Sequence, residues 1–211
     1  MAQDLPISAL PVASALTGTE LIAVVQDGTT KYSTITSTRY LPGISYGLFN
    51  QTSSYAGVSN TTDEGSLIGS GVGTLSVPAN GFTQGDAFQA TFSGTCTFHN
   101  GDELQIRVKA DSVVLADTGI ITLTRADLER WSLTINFSIH QIGGVGAASI
   151  ASDGIFQYTQ HASSIFSGRN FGSINNTTFD TTILNQLEVT AQFNHGDNVI
   201  ATDIFTLRKL Y

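Results

Sequence analysis

The sequence has few charged side chains. Only 12% of its 211 residues are Asp, Glu, Lys or Arg, against about 25% in an ordinary soluble domain. Hydrophobic residues make up 41%, so the missing charge is replaced mainly by Thr, Ser, Asn, Gln and Gly. Short uncharged polar side chains cost little to desolvate. This favours a chain that makes extensive contacts with copies of itself or with partners, and the alternative is a β-rich monomer with Thr-rich strands.

Clusters of basic residues and long apolar runs are also missing. The net charge is −8, and the few Lys and Arg residues are scattered except for Arg208 and Lys209. Nucleic-acid binding needs several cations that converge on phosphates, so we expect no nucleic-acid partner. No apolar run approaches the ~18 residues of a membrane span, and the N-terminus does not resemble a signal peptide. We therefore expect no membrane insertion, and synthesis and assembly in the cytoplasm.

The sequence contains one cysteine and no recognisable catalytic motif. Cys96 has no partner for an internal disulfide, and its place in an alternating segment favours a buried apolar role. No nucleophile elbow, phosphate-binding loop or zinc-protease motif occurs, so we expect no enzyme and no cofactor. His99 and His195 lie beside Gly-Asp turns that contain Asp102 and Asp197. These four residues form a metal site only if the two turns meet, and we interpret them as plain turns without a metal.

Apolar residues recur with a period of two, which is the spacing of half-buried strands. The clearest segments are residues 131–140, 103–109, 187–194 and 88–93. Further strands are predicted at residues 73–77, 113–116, 120–123, 148–158 and 204–210. Helical spacing is found only at residues 124–131, where we predict one or two turns of helix.

Three turns support an all-β interpretation. Residues 82–86, 98–102 and 193–197 share the pattern F-x-x-G-D, in which a Gly reverses the chain and an Asp can accept backbone N–H bonds. About eight to ten antiparallel strands are the content of a β-sandwich, and a jelly roll fits best. An immunoglobulin-like sandwich fits less well because its cysteine pair is absent. We predict an all-β chain with a C-terminal antiparallel β-sandwich of the jelly-roll type.

The first part of the chain, residues 1–40, has a different character. Two prolines within residues 5–11 exclude a helix or a central strand there, so we expect an extended docking segment. Residues 20–26 and 29–35 flank an Asp-Gly pair and predict a β-hairpin. An isolated hairpin is marginally stable in water. It must therefore pack on a partner or on other copies of the chain.

The stretch between this hairpin and the sandwich is rich in Gly, Ser, Thr and Asn. It covers residues 41–66, and we predict a linker or an irregular arm there. The predicted domain organisation is therefore an attachment arm with a hairpin at residues 1–40, this linker, and a jelly-roll sandwich at residues 67–211.

Several short motifs near the N-terminus recur in one class of protein. They are ISALP at residues 7–11, LTGTEL at 16–21, the apolar strand at 22–25 and QDG at 26–28. Together they resemble the virion-attachment segment at the start of many tail-fibre and other structural proteins of tailed phages. The resemblance implies docking to another virion structural protein through apolar residues, which are Ile7, Leu10, Leu21, Ile22 and Val24.

The C-terminal part carries a second resemblance. The segments GTLSVPAN at residues 73–80, NTTFDTT at 176–182 and FTLRKLY at 205–211 are similar to sandwich domains of uncharacterised marine and freshwater virus structural proteins. This implies a virion component that is assembled in the host cytoplasm. Two hypotheses follow: a homotrimeric fibre or spike subunit, docked by its N-terminus and displaying a jelly roll outward for host attachment, or a capsid decoration (cement) protein that stabilises the head.

A group of aromatic residues lies in Gly-, Ser- and Asn-rich surroundings. Such residues can stack on sugar rings, such as those of a host surface glycan, or fill a partner's pocket. The alternative is that they cover the ends of the sandwich. The residues are Tyr46, Phe49, Tyr55, Tyr158, Phe166 and Phe171.

The alternation in residues 131–140 assigns Phe137 to the core and Asn136 to the outer face of its strand. We expect Phe137→Ala to lower the free energy of unfolding by ~3–5 kcal/mol. Asn136→Ala should change it little unless that face meets a partner. Denaturant unfolding of both variants measures the difference, and equal losses would show that the assigned strand phase is wrong.

Overall fold

The computed structural model of the chain describes residues 21–34 and 46–211. Every regular element in these residues is a β-strand, and none of them belongs to a helix long and apolar enough to cross a membrane. The chain divides into two compact units, Met1–Ile44 and Ser45–Tyr211. The all-β class predicted from the period-two spacing is therefore confirmed.

The first unit contains an antiparallel hairpin. Strand β1 (Leu21–Gln26) pairs with β2 (Thr29–Thr34). Asp27 and Gly28 join the strands with φ angles of 54° and 71°, and two positive φ values are what a type I′ hairpin turn requires. The predicted hairpin and its Asp-Gly turn are confirmed.

The second unit contains the remaining strands. In chain order they are β3 (Tyr46–Gln51), β4 (Tyr55–Ser59), β5 (Gly65–Ser66), β6 (Gly71–Gly73), β7 (Ser76–Val77), β8 (Ala87–Phe98), β9 (Glu103–Ala110), β10 (Val113–Asp117), β11 (Ile121–Thr122), β12 (Ala126–Gln141), β13 (Ser149–Thr159), β14 (Phe166–Asn175), β15 (Asn185–Phe193) and β16 (Val199–Lys209). All pairings among them are antiparallel.

The strands form two sheets in a jelly-roll order. Eight of them, β3, β5, β8, β9, β10, β12, β15 and β16, make the framework. Numbered from first to eighth along the chain, they lie in the order 1-8-3-6 in the larger sheet and 2-7-4-5 in the smaller sheet. The chain therefore passes repeatedly from one sheet to the other, and this double Greek key is the arrangement of a jelly roll.

The larger sheet extends beyond this framework. Strands β13 and β14 continue from β12 as a meander, so that β14 becomes the edge of the sheet. Two side chains of β14 tie this edge to the smaller sheet. Arg169 Nη1 donates to the backbone oxygen of Ile120 at 2.8 Å, and Asn175 Nδ2 donates to that of Val114 at 2.9 Å. Strand β14 was not predicted, because Gly168 and polar residues interrupt its apolar alternation.

Residues 46–66 belong to the sandwich, so the predicted linker is wrong over this range. Strands β3 and β4 pair with β16, and β5 pairs with β15. Phe49 and Val58 are buried in the core. Short strands separated by Gly- and Ser-rich turns have the composition of a linker, although their apolar residues are spaced to face a core. The remainder of the predicted linker, residues 41–45, lies outside the described residues.

The predicted helical turn at residues 124–131 is also wrong. Strand β12 begins within it, and the pairing of β12 with β8 shifts between Ala126 and Glu129. Leu128 lies in this irregularity with a φ of 54° and points to solvent. A β-bulge inserts residues that break the two-residue period. The bulge therefore produced a spacing that resembled a helix.

The core between the sheets is rich in aromatic side chains. Trp131, Leu133, Ile135, Phe137 and Ile139 of β12 are all buried, as the alternation predicted. In the same core the rings of Phe92 and Phe205 stack with centroids 4.2 Å apart, and Trp131 Nε1 donates to the backbone oxygen of Ala201 at 2.8 Å. Burial of each side chain of this size contributes ~1.5–3 kcal/mol to the free energy of unfolding, so this layer holds the two sheets together.

A buried ion pair fixes the C-terminal strand. Lys209 Nζ lies 2.6 Å from Asp86 Oδ1, and both side chains are almost fully buried. Asp86 Oδ2 also accepts the backbone N–H of Thr83 at 3.0 Å. The Asp of the first F-x-x-G-D turn therefore accepts a backbone hydrogen bond as predicted, and it also ties the turn to β16.

We expect Lys209→Met to lower the free energy of unfolding by ~3–5 kcal/mol, because it leaves the Asp86 carboxylate buried without its cation. The matched control is Arg130→Met, which removes the exposed partner of Asp203 and should cost ~0–1 kcal/mol. Chemical denaturation measures both variants. A loss at Lys209 no larger than that at Arg130 would contradict a stabilising role for the buried pair.

Candidate functional site

The outer face of the smaller sheet carries an ion-pair network. Arg107 Nη1 lies 3.1 Å from Glu64 Oε2, and Lys109 Nζ lies 2.6 Å from Glu64 Oε1. Arg107 Nε also lies 3.6 Å from Asp117 Oδ2. Arg107 and Lys109 point outward because they alternate with the buried residues of β9. We call Glu64, Arg107, Lys109 and Asp117 the charged face.

Glu64 is the centre of the charged face. Burial raises the pKa of its carboxyl group, but the hydrogen bonds from Lys109 and Thr190 and the charges of Lys109 and Arg107 together outweigh burial. The pKa of Glu64 is therefore lowered from its usual value. The charged form of this residue is the one that the fold stabilises.

The outer face of the larger sheet has the opposite character. Two neighbouring cross-strand rows run over β16, β8, β12, β13 and β14 without a charged side chain. We call them the neutral band. The first row is Thr206, Thr91, Thr134, Ile155 and Asn170, and the second is Ile204, Ser93, Ser132, Gln157 and Gly168.

A charged row borders the neutral band on one side. It contains Arg208, Gln89, Asn136, Asp153 and Gly172, each opposite the next on adjacent strands. Arg208 Nε donates to Gln89 Oε1 at 3.1 Å, and Gln89 Nε2 donates to Asn136 Oδ1 at 2.9 Å. We call these residues the flanking row. It has a cation at one end and a carboxylate near the other.

Residues of β8, β12, β13 and β14, together with Leu210, line a shallow depression at the acidic end of the flanking row. Gly172 contributes no side chain beside Asp153, and a space of about 570 Å³ lies over Asn136, Asp153, Gly172 and Ile174. The side chain of Asp153 makes no hydrogen bond or ion pair with the part of the chain that the structure describes. Its carboxylate is therefore available to a group from outside the chain.

The N-terminal hairpin presents a third surface. Leu21, Ala23 and Val25 lie on one side of β1, and Tyr32 lies opposite Ala23 in the register. Leu21, Val25 and Tyr32 are 63%, 75% and 76% exposed. We call these four residues the hairpin apolar face. It is an exposed apolar surface on an element that has little stability of its own.

The predicted docking residues do not all lie on the hairpin apolar face. Leu21 belongs to the hairpin apolar face, whereas Ile22 is half-buried and lies one residue out of phase with it. Val24 lies opposite Lys31 in the register. Ile7 and Leu10 lie outside the described residues. Val25 and Tyr32 were not singled out from the sequence, although the alternation of β1 and its pairing with β2 would have found them.

Two of the six aromatic residues proposed as ligand contacts belong to the core, so that prediction is wrong for them. Tyr158 is buried in β13, and its hydroxyl accepts the backbone N–H of Thr124 at 2.8 Å. Phe49 is buried in β3, with its ring centroid 5.4 Å from that of Phe205. Both side chains point into the core, although the sequence around their strands is rich in Gly and Ser.

The other four aromatic residues are placed differently. Phe171 of β14 is half-buried and its ring lies against Gly154. Tyr55 is half-buried at the start of β4, and Tyr46 begins β3. Phe166 begins β14 and is 67% exposed. These residues lie on strands β3, β4 and β14, and Phe166 is the most exposed of those whose side chains the structure describes.

The two histidine-containing turns meet through one asparagine. The Oδ1 atom of buried Asn198 accepts the backbone N–H of His99 at 2.9 Å, and its Nδ2 atom donates to Asp102 Oδ2 at 2.8 Å and to the backbone oxygen of His195 at 3.2 Å. In residues 21–34 and 46–211, no group of three or more His, Cys, Asp or Glu side chains is placed to hold a metal ion. Asn198 gives these turns a structural link.

Cys96 is buried in β8. Burial, with a smaller effect of the Glu129 charge, raises the pKa of its thiol to about 12. The thiolate is the nucleophilic form of cysteine, so this side chain is inert at neutral pH. The predicted buried role of Cys96 is confirmed.

Comparison with known proteins gives no family for this chain. No protein-family model matches it, and no curated protein matches it. The charged face, the neutral band with its flanking row, and the hairpin apolar face are therefore the observations from which a function can be inferred.

We expect Glu64→Gln to lower the melting temperature at neutral pH. Because the native pKa of Glu64 is lowered, its charge stabilises the fold at pH values above 4.5, which is the usual pKa of the group. This stabilisation is lost as the pH falls through the lowered pKa. The difference between wild type and variant should therefore shrink in acid. Glu103→Gln, on the same sheet but outside the charged face, is the control and should give a small difference at all pH values. A difference for Glu64→Gln that stays constant into acid would contradict this assignment.

Proposed function

We propose that this chain is a structural protein of a tailed-phage virion, a homotrimeric fibre or spike subunit that docks through its N-terminal unit and displays its jelly roll outward. The observation that carries the proposal is the hairpin apolar face. It lies within the segment whose motifs resemble virion-attachment segments. The proposal gives this exposed surface a partner, another structural protein of the virion.

The hairpin needs a partner for a physical reason. Two strands cannot enclose a core, and Leu21, Val25 and Tyr32 remain exposed. Burying such side chains against a partner contributes ~1.5–3 kcal/mol each. Three of them contribute to the free energy that orders the hairpin and holds it on a docking surface. The partner surface should be apolar, with polar groups around its rim.

The uncharged surface of the larger sheet supports self-association. Thr, Ser, Asn and Gln side chains on the neutral band cost less free energy to desolvate than charged side chains would, and exposed Ile155 and Ile204 add apolar area. Fibres and spikes of tailed phages are commonly built from three chains, so we propose a trimer. Phe166, exposed at the edge strand, is the aromatic best placed to stack on a host surface glycan.

A capsid decoration protein would use the same surfaces for a different purpose. Its sandwich would rest on the capsid, and its copy number would match that of the capsid protein. A fibre or spike subunit would be present in far fewer copies, in multiples of three. Quantitative mass spectrometry of purified virions distinguishes the two, and a copy number close to that of the capsid protein would overturn the fibre proposal.

We expect Val25→Asp and Tyr32→Asp to abolish incorporation into particles without changing the melting temperature of the sandwich. Each places a charge on the hairpin apolar face, where docking would bury it without a partner. Thr29→Asp is the control, because Thr29 is exposed on the other side of the hairpin, and it should be incorporated normally. Co-sedimentation with virions measures incorporation. Normal incorporation of the Val25 and Tyr32 variants would contradict attachment through this face.

A further inference from the structure

We infer that the neutral band and its flanking row form the contact between copies of this chain, with Arg208 of one copy paired to Asp153 of the next. This inference rests on the proposed self-association and specifies its surface. The occupant of the larger sheet's outer face is then a second copy of the same chain.

Electrostatics selects this face for contact between identical chains. Each copy carries a net charge of −8, so two copies repel each other unless their contact avoids unpaired acidic groups. The charged face of the smaller sheet already has its cations satisfied by Glu64 and Asp117. Covering it would desolvate four charged groups and gain no new partner for them. The neutral band contains no charge to desolvate.

The flanking row supplies the complementary charges. Arg208 and Asp153 lie on the same face, separated by three steps between strands, or roughly 14 Å. Within one copy they are too far apart to pair. Between copies, the Arg208 end of one row can meet the Asp153 end of the next. In the proposed trimer each copy offers a different end of the row to each neighbour, so the contact is head-to-tail, and a head-to-tail contact closes into a ring when the rotation between copies is threefold.

Both groups are free to make this pair. Arg208 is exposed, and its Nε and Nη2 atoms donate to Gln89. The N–H groups of Nη1 remain to donate to a carboxylate of another copy. Asp153 lies in the depression beside Gly172, and its carboxylate makes no hydrogen bond or ion pair with the described residues. A planar guanidinium can enter a shallow depression and bind both oxygens of a carboxylate.

The other border of the neutral band is closed to such pairing. Arg130 Nη1 already lies 2.7 Å from Asp203 Oδ2 within the same copy. Because Arg130 is already paired with Asp203 in its own copy, this border of the neutral band adds no attraction between copies. The asymmetry between the two borders is what singles out Arg208 and Asp153.

The test is a charge exchange in the full chain, followed by sedimentation equilibrium. Wild type should have three times the chain mass of 22.3 kDa. Arg208→Glu and Asp153→Arg should each lower the trimer fraction at least tenfold at micromolar concentration, because like charges then meet. The double variant should restore the trimer, since the pair is re-formed with its charges exchanged.

Arg125→Glu provides the matched control, because it makes the same change in net charge as Arg208→Glu at an exposed residue that belongs neither to the neutral band nor to the flanking row. It should remain trimeric. Ile155→Glu, which places a charge in the neutral band at an exposed residue, should give monomers with an unchanged melting temperature of the sandwich. If the single reversals and Ile155→Glu leave a trimeric wild type unaffected, this surface is wrong and the trimer stands. A monomeric wild type overturns both the trimer and the surface.

Discussion

The structure depends on one constraint: the long strands of the sandwich other than β14 must place alternate residues in a single layer between the two sheets. The stacked rings of Phe92 and Phe205, with Trp131 beside them, occupy the middle of that layer. These rings come from β8, β12 and β16, which are distant in sequence, and none of these strands can slip by one residue without moving its own ring to solvent. This core therefore fixes the phase of each strand, and with it the identity of every residue on the two outer faces.

Since the core fixes only the inward residues, the outward residues are free to meet other requirements. On the smaller sheet they form the ion pairs around Glu64, which stabilise the attachment of β5 to its neighbours. On the larger sheet they are uncharged over two complete rows, and most of them are polar. A solvent-facing sheet gains solubility from charge, so its absence across five adjacent strands is the feature that requires a functional explanation.

Much of this arrangement could be predicted from the sequence, and the failures have physical reasons. The alternation of residues 131–140 predicted both the buried residues of β12 and its outer face. The bulge at Leu128 disturbed the same alternation and suggested a helix. The short strands in residues 46–66 were missed because their partners in β15 and β16 are more than one hundred residues away. The neutral band required cross-strand register, which local pattern does not contain.

The borders of the neutral band explain how an uncharged sheet face can associate specifically. A wholly neutral surface would allow neighbouring sheets to slide over one another, because Thr and Ser contacts are similar in many registers. In the proposed contact the flanking row removes this freedom, since only one displacement brings Arg208 opposite Asp153. On the opposite border, the pair of Arg130 with Asp203 opposes displaced registers in which these charges would be buried against uncharged groups. The small number of charges on this face can therefore determine the register of assembly, while the uncharged rows keep the cost of desolvation low.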